Sequence, residues 1–143
     1  MKQETQTKWT GKLGFESVIG DHTIIMDGKP EVGGENKGPT PKTLLLSSVS
    51  GCTGMDVAAL LKKMRAEVDD FQITASGEVT TEHPQYYDKI HLVYTFKGEN
   101  LQRDKIEKAV TLSQERYCGV SFMLGKAAKL TYEIVYKEVS VEA

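Results

Sequence analysis

The stretch TPKTLLLSSVSGCTGMDV, residues 40–57, decides the fold because it predicts one long helix in the middle of the chain. Thr40 suits the N-cap, and Pro41 suits the first helical position, where a missing N–H costs no hydrogen bond. Apolar residues at helical spacing extend the helix to about residue 68. They are Leu44, Leu45, Val49, Cys52, Met55, Ala59, Leu60 and Met64. Because this helix is apolar nearly all round up to Val57, we expect it at the centre of the fold.

Strands and shorter helices are predicted on both sides of this central helix. Alternation of apolar and polar residues predicts strands at 9–16, 22–27, 71–79, 90–97 and 130–136. Turn-forming residues predict a long surface loop over 27–38, and helical spacing predicts helices at 102–117 and 120–128. The predicted order is β-β-α-β-β-α-α-β, which is an α+β fold with antiparallel sheets in a single domain of residues 1–143.

The composition favours a cytoplasmic globular protein. The net charge is −2, and no basic stripe interleaved with aromatic residues is present, so no nucleic-acid partner is expected. The polar start MKQETQ has no apolar signal region. No stretch of the sequence approaches the ~20 apolar residues that cross a bilayer, so no membrane association is expected.

Cys52 and Cys118 are the only cysteines of the sequence, and each lies among small or apolar residues. Cys52 lies in the small-residue stretch 50–54, where we expect another backbone, a ligand or a kink to meet the central helix. Cys118 precedes a predicted helix, whose N-terminus favours a thiolate. This context suits a peroxide-reducing pair in which one thiol becomes a sulfenic acid and the other captures it. The alternative is that both cysteines are buried core residues.

Other polar residues give weaker signals. Asp56 follows Cys52 by one helical turn, and Glu115 precedes Cys118 by three residues. Each could orient a thiol or a water molecule, or could be a solvated or capping carboxylate. The histidines, His22, His83 and His91, lack metal-ligand spacing and are interpreted as sheet or surface residues, so no metal and no cofactor are predicted.

Two motifs resemble the OsmC/Ohr family. The run GPTPKTLLL at 38–46, followed by GCTGMDV at 51–57, is similar to the family's central-helix signature. The run SQERYCGVS at 113–121 is similar to its second cysteine motif. The resemblance implies intertwined homodimers, in which sheets of both subunits wrap a central pair of long helices. It also implies reduction of organic hydroperoxides, with Cys52 as the peroxidatic cysteine, Cys118 as the resolving cysteine and a dithiol, such as a lipoyl group, as reductant.

The sequence departs from the family's peroxidases in one respect. The resemblance implies an arginine near the start of the chain and a glutamate ten residues before the first cysteine. Here that position is Lys42, and the first arginine is Arg65. In this respect the sequence resembles a less characterised branch of the family more closely than its peroxidases. Lys12, Lys42 and Arg116 are candidates for the missing positive charge.

The sequence therefore leads to a homodimeric thiol protein that reduces organic hydroperoxides through Cys52 and Cys118, with Glu115, Asp56, Lys42 and Arg116 as supporting residues. The dimer is also predicted from the helix itself, which is too apolar for a single sheet to cover. The alternative is a non-enzymatic protein of the same fold that binds a small apolar ligand at the dimer interface.

Overall fold

The structure, a computed structural model, describes residues 1–139. It contains six strands and three α-helices in the order β1-β2-β3-α1-β4-β5-α2-α3-β6, which is the predicted class with one additional strand. The chain divides into two compact units, Met1–Leu45 and the residues from Leu46 onward. The predicted single domain also included residues 140–143, which lie outside the described residues.

The N-terminal unit holds an antiparallel sheet of β1 (Gln6–Gly11), β2 (Gly14–Ile19) and β3 (His22–Met26). One strand was predicted over 9–16, and this was wrong because the chain reverses after Gly11. Gly11 and Lys12 have φ of 114° and 48°, in the left-handed region where a strand cannot continue. The indole N–H of Trp9 donates to the Lys12 carbonyl at 2.8 Å and stabilises this turn.

The loop after β3 is held together by a buried carboxylate. Asp27 accepts hydrogen bonds from the backbone N–H groups of Gly28, Glu35 and Lys37 at 2.7–3.3 Å. Burial raises the pKa of Asp27, but these three donors outweigh it and hold the pKa below its ordinary value of 3.8. The predicted surface loop is therefore an ordered loop closed on one side chain, with a 3₁₀ turn at Pro30–Val32.

Helix α1 (Pro41–Lys63) begins at the predicted proline. It ends earlier than predicted because Arg65 adopts φ of 56°, a left-handed conformation that terminates helices. Val49, Thr53, Val57 and Leu61 are buried, and their spacing of four residues places them on one face. The small residues at 50–54 do not break α1. A Cβ atom at Gly54 would lie 3.3 Å from Ile73, whereas one at Gly51 would meet open space.

The second sheet consists of β4 (Asp70–Val79), β5 (Tyr87–Gly98) and β6 (Lys129–Glu138). β4 and β5 are antiparallel as predicted, but β6 runs parallel to β5. The expectation of purely antiparallel sheets was therefore wrong for β6, because two helices separate it from β5. Such a crossover returns the chain in the same direction. Residues of β5 form the centre of the core together with α1 and α2, namely Ile90, Leu92, Tyr94, Phe96, Val57 and Ile106.

The connection between β5 and β6 carries the second cysteine. Helix α2 (Arg103–Leu112) continues into a π-helical turn, Ser113–Tyr117, and α3 (Gly119–Leu124) follows. A single helix was predicted over 102–117. The structure confirms a helix there but shows that its last turn is π-helical, which the sequence did not predict. Cys118 lies between the π-helical turn and α3 with extended backbone, φ −77° and ψ 99°.

Within residues 1–139, α1 is the one helix that is long and apolar enough to cross a bilayer by length and composition. The statement that no stretch approaches this criterion was therefore wrong, since serine, threonine and glycine lower the average hydropathy only slightly. The core helix of a soluble protein passes the same test. Val49, Val57 and Leu61 of α1 are buried core residues, so length and composition are weak evidence for a membrane span here.

Candidate functional site

The two cysteine thiols lie close together. Cys52 lies in the middle of α1 and is half-buried, whereas Cys118 lies at the N-cap of α3 and is 4% exposed. Both are free thiols, and Cys52 lies close enough to Cys118 to raise the pKa of the Cys118 thiol. Two helices that are far apart in the sequence therefore bring together the residues that the sequence singled out. We call Cys52 and Cys118 the cysteine pair.

The backbone around Cys118 is fixed on both sides of the thiol. Its N–H donates to the Ser113 carbonyl at 2.7 Å, and its sulfur accepts from the Ser121 N–H at 3.4 Å. Burial raises the pKa of Cys118, donors from Ser121 lower it, and Cys52 raises it, with a net shift above the ordinary 9.0. The helix N-terminus expected after Cys118 is present, and burial outweighs its effect on the pKa of this thiol.

Ser121 places a second polar group beside the Cys118 sulfur. Its hydroxyl is close enough to lower the pKa of Cys118, yet it makes no well-formed hydrogen bond within residues 1–139. We therefore assign the hydrogen bond on the sulfur to the Ser121 backbone N–H. The Ser121 side chain is buried, so its hydroxyl remains available to a polar atom that approaches Cys118.

A chain of hydrogen-bonded polar side chains, buried at its centre and half-buried at its ends, lies next to the cysteine pair. The Thr53 hydroxyl is 2.6 Å from the Tyr94 hydroxyl and 2.7 Å from the Ser113 hydroxyl. Ser113 donates to the Asp56 carboxylate at 3.0 Å, and the Gln114 amide donates to Tyr94 at 2.7 Å. We call this set, Asp56, Ser113, Thr53, Tyr94 and Gln114, the hydroxyl chain.

Of the hydroxyl chain, only Asp56 was a candidate from the sequence. Thr53 and Asp56 lie three residues apart on one face of α1, and Ser113, the first residue of the π-helical turn, follows the apolar face of α2. A hydroxyl on an otherwise apolar helical face is a signal for a buried hydrogen bond. Tyr94 gave no such signal, because aromatic residues at alternating positions are typical of any buried strand.

A cavity of about 180 Å³ opens at Cys118. Glu115 and Arg116 line it together with Gln114, Tyr117, Gly119 and Phe122, and the Arg116 guanidinium lies 5.7 Å from the centre of the Tyr117 ring. The structure thus places two further predicted residues, Glu115 and Arg116, beside Cys118. Lys42 lies in the first turn of α1, in the N-terminal unit, and is not part of this group.

The remaining candidates lie elsewhere. A larger cavity of about 870 Å³ is lined by the loop between β4 and β5, including His83, and shares no residue with the cysteine pair. His91 bonds Thr131 and Glu133 at 2.7 and 2.9 Å on the surface of the second sheet. His22 lies in β3. Across residues 1–139, no group of three or more His, Cys, Asp or Glu side chains could hold a metal ion.

Comparison with known proteins identifies the family. The family described as OsmC-like protein matches residues 34–133. Protein YhfA of Escherichia coli K12 is 35% identical over 136 residues, which cover 92% of this chain and 98% of YhfA. The crystal structure of a hypothetical protein from Aquifex aeolicus has a TM-score of 0.81 at 32% identity, covering 96% of this chain and 99% of that one. An organic hydroperoxide resistance protein OsmC from Legionella pneumophila has a TM-score of 0.65 at 13% identity, covering 96% and 97% of the two chains, which shows likeness of fold alone. The chain belongs to the OsmC-like protein family.

Proposed function

We propose that this protein reduces organic hydroperoxides with the cysteine pair. The observation that carries the proposal is the closeness of the Cys52 and Cys118 thiols, together with a cavity that Cys118 lines. Family membership supports it, as do structural neighbours named as organic hydroperoxide resistance proteins, although these are only 10–15% identical. YhfA, the relative at 35% identity, has a name that states no activity, so the activity rests on the site.

The proposed cycle has three steps. The Cys52 sulfur attacks one peroxide oxygen, the O–O bond breaks, and an alcohol leaves while Cys52 becomes a sulfenic acid. The Cys118 sulfur then attacks the sulfenic sulfur, and the S–O bond breaks as water leaves with the thiol proton. A dithiol reductant, such as a lipoyl group, reduces the resulting disulfide by two exchanges and becomes a disulfide itself.

Exposure favours Cys52 as the first nucleophile. Cys52 is half-buried, whereas Cys118 is 4% exposed, and burial holds the pKa of Cys118 above its ordinary value. A buried protonated thiol is a poor nucleophile toward a peroxide from solvent. It becomes effective once the sulfenic acid is formed next to it, because the reaction is then intramolecular.

The supporting residues contribute charge and orientation. Arg116 at the cavity wall is the cation nearest in sequence to Cys118, and we assign it the role of attracting the polar peroxide group. Glu115 shares the same cavity, and Asp56 acts through Ser113. Lys42 remains a prediction from its position ten residues before Cys52.

The working protein is proposed to be a homodimer. One face of α1 is buried, whereas Met55 is 77% exposed and Gly51 faces open space. In the N-terminal unit Trp9 is 62% exposed and Ile25 is 45% exposed. A second copy that covers these apolar surfaces would form an interface above ~2,000 Å², the scale of permanent homodimers. Sedimentation tests this, and a folded monomer at low micromolar concentration contradicts it.

The test of the activity is a peroxidase assay of the purified protein with tert-butyl hydroperoxide, a lipid hydroperoxide and hydrogen peroxide. Several dithiols serve as reductant between about pH 6 and pH 9, a range that brackets the ordinary thiol pKa. We expect faster consumption of the organic peroxides, and none by the double variant Cys52→Ser, Cys118→Ser. If the wild type consumes none of the three, the proposal fails and the non-enzymatic, ligand-binding alternative stands. The proposed location is the cytoplasm, where dithiol reductants keep such a pair reduced.

A further inference from the structure

The three hydroxyl groups at the centre of the hydroxyl chain are fully enclosed, whereas Asp56 and Gln114 at its ends are half-buried. Thr53, Tyr94 and Ser113 are each 0% exposed, so their hydroxyl groups depend on one another for hydrogen bonds. The chain joins three elements, because Thr53 belongs to α1, Tyr94 to β5, and Ser113 to the π-helical turn. A fully partnered polar network in an apolar core fixes the relative position of the elements that supply it.

The direction of every hydrogen bond in the chain follows from Asp56. A carboxylate can only accept, so the Ser113 hydroxyl donates to it. Each hydroxyl has one proton, so Ser113 accepts from Thr53, and Thr53 accepts from Tyr94. The Tyr94 oxygen then accepts from the Gln114 amide. The Gln114 amide also donates directly to the Thr53 hydroxyl, at 3.3 Å. The chain therefore has one donor order, from Gln114 to Asp56, and loss of the Thr53 or Ser113 hydroxyl interrupts it.

The hydroxyl chain is joined to both cysteines through the backbone. Thr53 follows Cys52 directly in α1, and the Ser113 carbonyl accepts the Cys118 N–H at 2.7 Å. The Thr53–Ser113 bond of 2.7 Å therefore connects the two segments that carry the cysteine pair. Gln114, at the other end, lines the cavity at Cys118.

We propose that the hydroxyl chain of Asp56, Ser113, Thr53, Tyr94 and Gln114 positions the Cys52 and Cys118 sulfurs for disulfide formation. Its members are positioning residues, since they act through the backbone segments that carry the sulfurs. This inference rests on the proposed thiol function of the cysteine pair. It assigns to the hydroxyl chain the positioning that makes the second step, the attack of Cys118 on the sulfenic acid of Cys52, efficient.

The variant Thr53→Val tests the proposal because valine keeps the shape of threonine and removes the central hydroxyl. We expect formation of the Cys52–Cys118 disulfide to slow by about tenfold to a hundredfold, the cost of misplacing reacting groups by about 1 Å. Sulfenic acid formation at Cys52, trapped with dimedone in a Cys118→Ser background, should keep its rate, since it needs no second thiol. The conservative variant Thr53→Ser, which restores the hydroxyl, should restore disulfide formation.

Tyr94→Phe is the second variant, and it serves as the test if Thr53→Val fails to fold. Its matched control is Tyr132→Phe, because the Tyr132 ring packs edge-on against Tyr94 at 6.1 Å and belongs to no hydrogen bond of the chain. We expect Tyr94→Phe to slow disulfide formation, by less than Thr53→Val because Gln114 still donates directly to Thr53, and Tyr132→Phe to leave it unchanged. Equal effects of the two variants would overturn the proposal, because they would indicate a packing defect.

Disulfide formation is measured by mass spectrometry with two oxidants, tert-butyl hydroperoxide and diamide. Diamide is a diazene that takes up the two thiol hydrogens, so it forms the disulfide without a peroxide. If the wild type forms the disulfide with diamide but not with tert-butyl hydroperoxide, the proposed peroxidase function fails. The rates of diamide-driven disulfide formation in Thr53→Val and wild type then still decide this inference. Wild-type rates with diamide in both Thr53→Val and Tyr94→Phe would overturn it.

Discussion

Cys52 lies within a continuous helix, with open space beside the preceding glycine, whereas Cys118 lies where the chain passes from a π-helical turn into a short helix. Cys52 is half-buried, and Cys118 is nearly inaccessible with a raised pKa. The two cysteines carry the same functional group, but one thiol is accessible to solvent and the other lies in the protein interior. This difference divides the proposed reaction into a step that needs access and a step that needs proximity.

The largest effect is expected at the accessible thiol. Cys52→Ser should reduce hydroperoxide turnover by at least about a thousandfold, the scale seen when a covalent nucleophile is removed. Dimedone should then label no residue after peroxide treatment, because the buried Cys118 does not replace Cys52. Labelling of Cys118 at the wild-type rate in this variant would reverse the assignment of the two roles.

The next largest effect is expected when Cys118 is replaced, because the protein should then react once with hydroperoxide but not turn over continuously. Cys118→Ser should consume about one equivalent of hydroperoxide per site and then stop, because the sulfenic acid at Cys52 has no resolving thiol. Dimedone labelling of Cys52 at full occupancy, followed by mass spectrometry, measures this. Continued turnover at the wild-type rate would show that the dithiol reduces the sulfenic acid directly and that Cys118 has no resolving role.

The positions of the two cysteines could be predicted from the sequence, but the hydroxyl chain that connects their segments could not. Thr40 and Pro41 predicted the start of α1, and small residues around Cys52 and a helix start after Cys118 indicated both thiol positions. The strand break after Gly11 was missed, because the left-handed conformations of Gly11 and Lys12 leave the alternation of apolar and polar residues intact. The hydroxyl chain was missed because its bonds join residues 41 and 60 positions apart. Burial raises the pKa of Cys118, and burial is a property of the assembled core that the sequence motif does not show.

The raised pKa of Cys118 predicts how its reactivity depends on pH. A thiol with a raised pKa stays protonated to higher pH, so its thiolate becomes the major form only above the ordinary value of 9.0. In Cys52→Ser, the rate of alkylation by iodoacetamide should rise by about tenfold per pH unit up to that point. Burial, the largest cause of the shift, persists in this variant, whereas the contribution of Cys52 is lost.

The control for this profile is the same variant unfolded in denaturant, where Cys118 should titrate at the ordinary thiol value. Restricted access of the reagent lowers the rate in the folded protein by the same factor at every pH and does not move the midpoint of the profile, so the two midpoints are compared. A folded midpoint at or below the unfolded one would show that donors from Ser121 outweigh burial.

The smallest effect is expected on the choice of peroxide. Phe122 is 67% exposed and lines the cavity at Cys118, so its ring offers apolar surface to the organic part of a hydroperoxide. Phe122→Ser should lower kcat/KM for tert-butyl hydroperoxide by about tenfold, the scale of a lost apolar contact, and leave the value for hydrogen peroxide unchanged. Met123→Ser is the matched control, because Met123 is adjacent, 64% exposed and absent from the cavity lining. An equal loss for both peroxides in Phe122→Ser would mean that this residue supports the cysteine pair and does not select the substrate.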